Sequence, residues 1–224
     1  MNTINKENSG YQDRPVKVVQ IGEGNFLRAF ADEMIDAANE QDIFGGNIVM
    51  LKPTPVRAGS GTFESFRHQE CQYTLVLRGR KEGRTVCEKR KITSVKEILS
   101  IYDDWHTVLK LAALESLQIV ISNTTEAGII YKEEERTADV PPATYPGKLT
   151  AFLYERFVSL HGAADQGLII LPVELIEDNG DVLESCVLHY AESWKLGEEF
   201  AQWIRNACTF CNTLVDRIVP GFPR

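Results

Sequence analysis

Val16-Lys17-Val18-Val19-Gln20-Ile21-Gly22-Glu23-Gly24-Asn25-Phe26-Leu27-Arg28-Ala29-Phe30 is the stretch that decides the fold. β-Branched residues at 16, 18, 19 and 21 favour a pleated, buried strand, and Gly22 and Gly24 end it. Apolar side chains then recur at Phe26, Phe30, Met34 and Ala38, at helical spacing. The reading is strand, glycine turn and one continuous helix. Arg28, Asp32 and Asp36 fall on its opposite face and are expected to meet solvent or ligand. A second apolar run, Ile48 to Leu51, follows Gly45-Gly46. The unit has the size of a βαβ crossover, whose handedness makes its two strands parallel.

Working outward, Arg57 to Glu70 contains Gly59, Ser60 and Gly61 and reads as a loop. Tyr73 to Leu77 and Thr85 to Ile92 flank a turn from Arg78 to Gly83, which predicts a β-hairpin appended to the sheet. Val95 to Leu114 has helical periodicity, and Gln118 to Ser122 reads as a strand. A charged, proline-bearing loop from Lys132 to Pro146 leads to a helix over Lys148 to Leu160 and a buried strand over Gly167 to Leu171. After Asn179-Gly180 the pattern is helical to near the end. Strands alternating with helices predict an open α/β fold: a doubly wound, mostly parallel sheet with an added β-hairpin and C-terminal helices. Residues 1–15 are expected to be a flexible leader to a single domain over 16–220.

Composition narrows the class. With 43% hydrophobic and 25% charged residues the chain has ordinary globular balance rather than that of a disordered one. Its 24 Lys and Arg against 32 Asp and Glu give a net charge of −8, and the cations are scattered, so nucleic acid is not an expected partner. No apolar core of a signal peptide and no membrane span is visible, and five cysteines without disulfide density fit reduced thiols, so the expected location is cytoplasmic. Cys208 and Cys211 have C-x-x-C spacing without a second pair and read as small apolar residues on a helix; the four histidines are too dispersed to bind a metal.

In open parallel sheets the first βα turn carries phosphate at a helix N-terminus. Gly22 permits the bend, and Gly24 lacks the Cβ that would keep a pyrophosphate from the amides. Leu27 stands where G-x-G-x-x-G has its third glycine, so the turn alone is compatible with a nucleotide site or with a plain tight turn. Arg28 in the first helical turn opposes the dipole; a phosphate partner or a pair with Asp32 would account for it. Where NAD-specific folds place an acid after the second strand, this chain has Leu51-Lys52-Pro53-Thr54-Pro55, so Lys52, with Arg57 nearby, leans towards NADP. Asn123-Thr124-Thr125-Glu126 follows the central strand and is suited either to the ribose and nicotinamide side of a dinucleotide or to capping a short helix.

The segment from Val18 to Phe30 resembles the nucleotide loop of the long-chain mannitol dehydrogenase family, most closely its tagaturonate reductase (altronate oxidoreductase) branch. Ser122-Asn123-Thr124-Thr125-Glu126-Ala127-Gly128, Tyr145 to Phe157 and Phe210 to Pro220 are similar to further family segments. The resemblance implies a Rossmann-type NAD-binding domain and NAD-dependent interconversion of D-tagaturonate and D-altronate in hexuronate catabolism, with another uronate or polyol reductase, or a non-catalytic nucleotide module, as alternatives. Expected cofactor-binding residues are Ile21, Gly22, Glu23, Gly24, Asn25, Phe26, Leu27, Arg28, Pro53, Thr54, Asn123, Thr124 and Thr125. Glu126, Lys148 and Glu174 are the candidates for a sugar-acid substrate. Lys148 is otherwise a surface or cleft-lining residue, and Glu174 is otherwise a carboxylate satisfied by backbone donors. The family takes its catalytic lysine from a helical C-terminal domain, and no lysine here matches that motif. That domain is therefore the expected partner, and the chain alone is expected to be inactive.

Overall fold

The computed structural model describes residues 3–56, 61–124 and 128–221. In chain order the elements are α1 (Lys6–Ser9), β1 (Val16–Ile21), α2 (Asn25–Arg28), α3 (Ala31–Glu40), β2 (Asn47–Lys52), α4 (Gly61–His68), β3 (Tyr73–Lys81), β4 (Arg84–Ile92) and β5 (Val95–Ser100). There follow α5 (Trp105–Leu111), β6 (Ile119–Ser122), α6 (Tyr145–Ser159), a 3₁₀ turn (Ala164–Gln166), β7 (Ile169–Pro172), α7 (Asn179–Ser193), α8 (Glu198–Ala207) and β8 (Thr209–Phe210). Six strands form one parallel sheet in the order β5-β2-β1-β6-β7-β8. Strand order reverses between β1 and β6, the doubly wound arrangement of a Rossmann fold.

Strands covered on both faces need apolar side chains on both, and the sheet supplies two cores. Val19, Ile21, Val49, Leu51, Val120 and Ile170 face α5, α6, α7 and α8, with Trp105, Leu149, Leu153, Phe200 and Trp203 filling that layer. Val18, Ile48, Met50 and Ile121 face the other way onto Leu27, Ala31, Phe63 and Phe66.

Several local expectations give way to tertiary packing. Val95 to Ser100 is an edge strand paired with β2 rather than the start of a helix, because its apolar spacing suits either state and the open side of β2 decides. Within the presumed loop, Phe63 and Phe66, three apart, bury one face of α4. The hairpin is a separate two-stranded sheet, closed at Glu82-Gly83, both with positive φ as a two-residue hairpin turn requires. The last helical stretch ends at Ala207, and β8 completes the sheet; Cys208 caps α8 and Cys211 follows β8, so neither lies within a helix. Residues 3–15, expected to be flexible, are tied down: Lys96 bonds Asp13 (2.6 Å), Asn47 Nδ2 donates to the Gln12 carbonyl (3.0 Å), and Lys91 Nζ donates to the Asn8 carbonyl (2.9 Å).

The first helix breaks at Ala29-Phe30 into α2 and α3, and the break reverses its expected faces. Met34 is 50% exposed, whereas Asp32 and Asp36 are 0% and 2% exposed. Hairpin residues far away in sequence bury them. Arg90 donates twice to Asp36 Oδ2 (3.0 and 3.2 Å), the Thr93 amide and hydroxyl donate to Asp36 Oδ1, and the Tyr73 hydroxyl lies 2.8 Å from Asp32 Oδ2. Burial pushes the Asp32 carboxyl up to about 7, against the opposing pull of Tyr73 and Arg28. The folded protein thus holds a proton here that the unfolded chain releases near pH 4, and its stability falls as pH rises from about 4 to about 7. Asp32→Asn is expected to shrink the loss in urea midpoint between pH 5 and pH 8. Parallel pH curves for the two proteins would show that Asp32 is not the group responsible.

Candidate functional site

The carboxyl ends of β1, β2 and β6 meet where the strand order reverses. The Gly22 amide donates to the Leu51 carbonyl at the end of β2 (2.9 Å), and the Asn123 amide donates to the Ile21 carbonyl (3.0 Å), stitching the turn to both neighbours. Gly22 has φ +124°, and a Cβ built there would lie 2.7 Å from the Asn123 carbonyl oxygen. Only glycine fits. Gly24 has ordinary backbone angles as the N-cap of α2, and a Cβ there would meet nothing within 4 Å. The space in front of Gly24 is open, and the first amides of α2 have no intrahelical acceptor.

Around this turn the side chains divide by role. Ile21 and Leu27 are core residues, 4% and 1% exposed, and offer a ligand only their backbone. Phe26 is half-buried against Phe30, with ring centroids 5.4 Å apart. Arg28 donates to Asn25 Oδ1 (2.5 Å) and lies 5.5 Å from the Phe66 centroid and 5.9 Å from that of Tyr73; its buried Nε has no hydrogen-bond partner among the described residues. No Arg28–Asp32 ion pair forms among the described residues, since the Tyr73 hydroxyl stands against Asp32 Oδ2. Lys52 at the end of β2 donates to Glu23 (2.5 Å) and to the Thr54 hydroxyl (3.1 Å); Pro53 is half-buried and Thr54 exposed.

The β6 end is anchored differently from the expectation. Glu174, just past β7, is 2% exposed, and its carboxylate accepts from the Ser122 hydroxyl (3.1 Å), the Thr124 amide (2.9 Å) and the Thr124 hydroxyl (3.0 Å). Asn123 Nδ2 donates to the Val173 carbonyl (2.8 Å). Glu174 is therefore a buried carboxylate satisfied by protein donors that ties β6 to β7, and Thr124 serves that tie. Thr125 and Glu126 lie outside the described residues. Lys148 is not at the surface either. It is 4% exposed in the first turn of α6, donates from Nζ to the Ala143 carbonyl (2.8 Å) and sits 5.1 Å from the Tyr102 centroid. Desolvation draws it down to about 8, partly countered by Glu134.

Sequence reading missed the segment after β8. Residues 211–221 follow β8 without regular secondary structure, and their exposure alternates along the chain. Asn179 anchors the start through the Thr213 amide (2.9 Å), and Arg217 donates to the Ala29 carbonyl (2.6 Å) and to Glu33 (3.3 Å) while lying over the Phe30 ring. A Cβ on Gly221 would stand 3.3 Å from Asn25 Nδ2, so the segment returns to the glycine turn. Exposure alternates along it but polarity does not, since Leu214 and Ile218 are 97% and 89% exposed, so its residue pattern carries no signal of this course. Among the described residues no group of three metal-ligating side chains occurs, and no helix is long and apolar enough to cross a membrane.

Comparison with known proteins agrees with this topology. The mannitol dehydrogenase Rossmann domain model matches residues 16–223. The chain is 47% identical over 213 residues to the altronate oxidoreductase of Bacillus subtilis (strain 168), covering 95% of this chain and 44% of that protein. It is 45% identical to the altronate oxidoreductase of Enterobacter sp. (strain 638), covering 100% of this chain and 46% of that protein. The chain thus spans a little under half the length of these relatives. Pseudomonas fluorescens mannitol 2-dehydrogenase, solved as a ternary complex with NAD and D-mannitol, superimposes with a TM-score of 0.77 at 23% identity, over 97% of this chain and 47% of that one. D-sorbitol dehydrogenase in substrate-free form superimposes equally well, at 22% identity. The fold, the glycine turn and the sequence identity converge, and the chain belongs to the mannitol dehydrogenase family, whose Rossmann domain it carries.

Proposed function

We propose that this chain is the dinucleotide-binding part of an NAD-dependent oxidoreductase that interconverts D-tagaturonate and D-altronate, working on a sugar acid in the cytoplasm. The observation that carries the reading is the open space before Gly24 at the reversal of strand order, in a chain 44–47% identical to altronate oxidoreductases. The site fits a dinucleotide: no Cβ blocks approach to the turn, and the first amides of α2 have no intrahelical acceptor. Bound NAD supplies the hydride acceptor, and its reduced form the donor.

The chain's own residues act on binding and geometry. Gly22 lets the turn close against Asn123, and Glu174 holds Ser122 and Thr124 so that the β6 end keeps its shape beside the turn. Arg28 adds a cation next to Asn25 at the start of α2. Removing a hydride from a carbinol also needs a base for the hydroxyl proton. Lys148 is committed to Ala143 and Tyr102, so the proton-handling group is assigned to the part of the relatives that this chain does not cover, and that part is the proposed partner domain.

NADH binding and NADH oxidation with tagaturonate test this reading, using the 224-residue chain alongside the full-length Bacillus subtilis relative. The chain is expected to bind NADH without turnover, while the relative turns over. Clear turnover by the chain would overturn the placement of the proton donor, and absence of NADH binding would overturn the site. A panel containing fructuronate and mannitol checks the substrate assignment; faster turnover of either by the relative would reassign it.

A further inference from the structure

The end of β2 poses a problem that the glycine turn solves. A dinucleotide site that takes an unphosphorylated ribose usually offers a carboxylate there, and a cation in its place attracts a 2′-phosphate. This chain has Lys52 at that position. Lys52, however, is already engaged: its Nζ donates to Glu23 Oε1 at 2.5 Å and to Thr54 Oγ1 at 3.1 Å, and the two paired side chains are only 12% and 27% exposed. Glu23 reaches β2 because the Gly22 amide is bonded to the Leu51 carbonyl, which sets the turn one residue from Lys52. Among the described residues Lys52 is the only hydrogen-bond donor to the Glu23 carboxylate. Its second oxygen keeps its acceptor capacity, and an ionised carboxylate can only accept.

We propose that Glu23, held by Lys52, is the specificity-determining residue that selects NAD over NADP. It brings to the β2 end the carboxylate that the β2 sequence lacks. The ribose hydroxyls of NAD can donate to it, a 2′-phosphate is repelled by it, and Lys52, a cation suited to that phosphate, is neutralised by it; Arg57 lies outside the described residues. The proposal rests on the dinucleotide reading above and adds to it the choice between the two cofactors.

Dissociation constants for NADH and NADPH, measured by fluorescence titration, test the proposal in the 224-residue chain, in Glu23→Gln and in Glu23→Gln with Lys52→Met. The unaltered chain is expected to prefer NADH. Glu23→Gln keeps the shape, removes the charge and releases Lys52; the NADPH-to-NADH affinity ratio should rise roughly 10- to 100-fold, the range spanned by a hydrogen bond to a charged group. Adding Lys52→Met should abolish the gain in NADPH affinity. An unchanged ratio in Glu23→Gln, a gain that survives Lys52→Met, or a preference of the unaltered chain for NADPH each overturns the proposal while leaving the dinucleotide site standing. Failure of the unaltered chain to bind either dinucleotide overturns the site itself and the proposal with it. Matching thermal midpoints for the three proteins exclude unfolding as the cause of a lost affinity.

Discussion

Gly22→Ala is expected to destabilise the domain by about 2–6 kcal/mol, a sum of roughly 1–3 for a side chain forced to positive φ and roughly 1–3 for overpacking. The overpacking has a specific cause, since the new methyl would stand 2.7 Å from the Asn123 carbonyl oxygen, and that carbonyl cannot retreat. Its own amide is bonded to Ile21, and its side chain to the Val173 carbonyl. Domains hold only about 5–15 kcal/mol in total, so much of the protein should unfold at modest urea concentration. Gly24→Ala provides the contrast. Its backbone angles suit any residue and its methyl meets nothing within 4 Å, so the unfolding free energy from urea titration should fall by no more than about 1 kcal/mol, the usual cost of alanine at an N-cap. The same methyl occupies the space proposed for the pyrophosphate, and NADH affinity should fall at least about tenfold, or about 1.4 kcal/mol. Two glycines two positions apart thus separate folding from binding. Equal urea midpoints for the two variants would show that the Asn123 contact does not constrain Gly22.

Arg156→Met is the second large effect, placed far from the glycine turn. Arg156 is 1% exposed in α6, and all its donors are used: Nε to the Gln166 carbonyl (2.6 Å), Nη1 to the Ala112 (2.8 Å) and Leu114 (2.9 Å) carbonyls, and Nη2 to the Leu117 carbonyl (3.1 Å) and Gln166 Oε1 (3.1 Å). Its acceptors are neutral, and they lie in the two connections that lead into β6 and β7. Methionine fills similar volume but leaves the buried Ala112 and Leu117 carbonyls and the half-buried Leu114 and Gln166 carbonyls without these donors; at about 1–3 kcal/mol for each buried carbonyl, a loss of at least about 2 kcal/mol is expected. Arg156→Lys should recover only part of it, because an ammonium has three donors on one nitrogen and cannot span the fork. Urea denaturation of the three proteins measures the order. A methionine variant within about 1 kcal/mol of the parent would mean that water or rearranged backbone replaces the guanidinium.

The parts of the fold that were legible in the sequence are those in which neighbours in the chain decide the outcome. A β-branched run, two glycines and a return of apolar side chains suffice for strand, turn and helix, because sterics and periodicity act over a few residues. Val95 to Ser100 is not legible locally, because apolar residues at 95, 98 and 99 suit a helix and a buried strand equally; pairing with β2 makes it a strand. Two-residue β8 carries no periodicity at all. The candidate site shows the same division. Gly22 and Gly24 are visible as a turn, but nothing local says that one is required by the Asn123 carbonyl and the other borders open space.

The sequence by itself determined the α/β alternation, the glycine turn and, through its resemblance, the family. Tertiary structure alone decided where the charges went. Asp32 and Asp36 read as solvent-facing on a helical wheel, yet Tyr73, Arg90 and Thr93 bury them; Glu174 read as a cleft residue, yet Ser122 and Thr124 satisfy it; Lys52 read as a phosphate ligand, yet Glu23 neutralises it. The physical reason is common to all three. Backbone conformation is set by contacts within a turn or two of the chain, whereas a charged group is stable in the interior only when donors or opposite charges reach it. Here those partners come from 29 to 57 residues away, brought into place by the sheet.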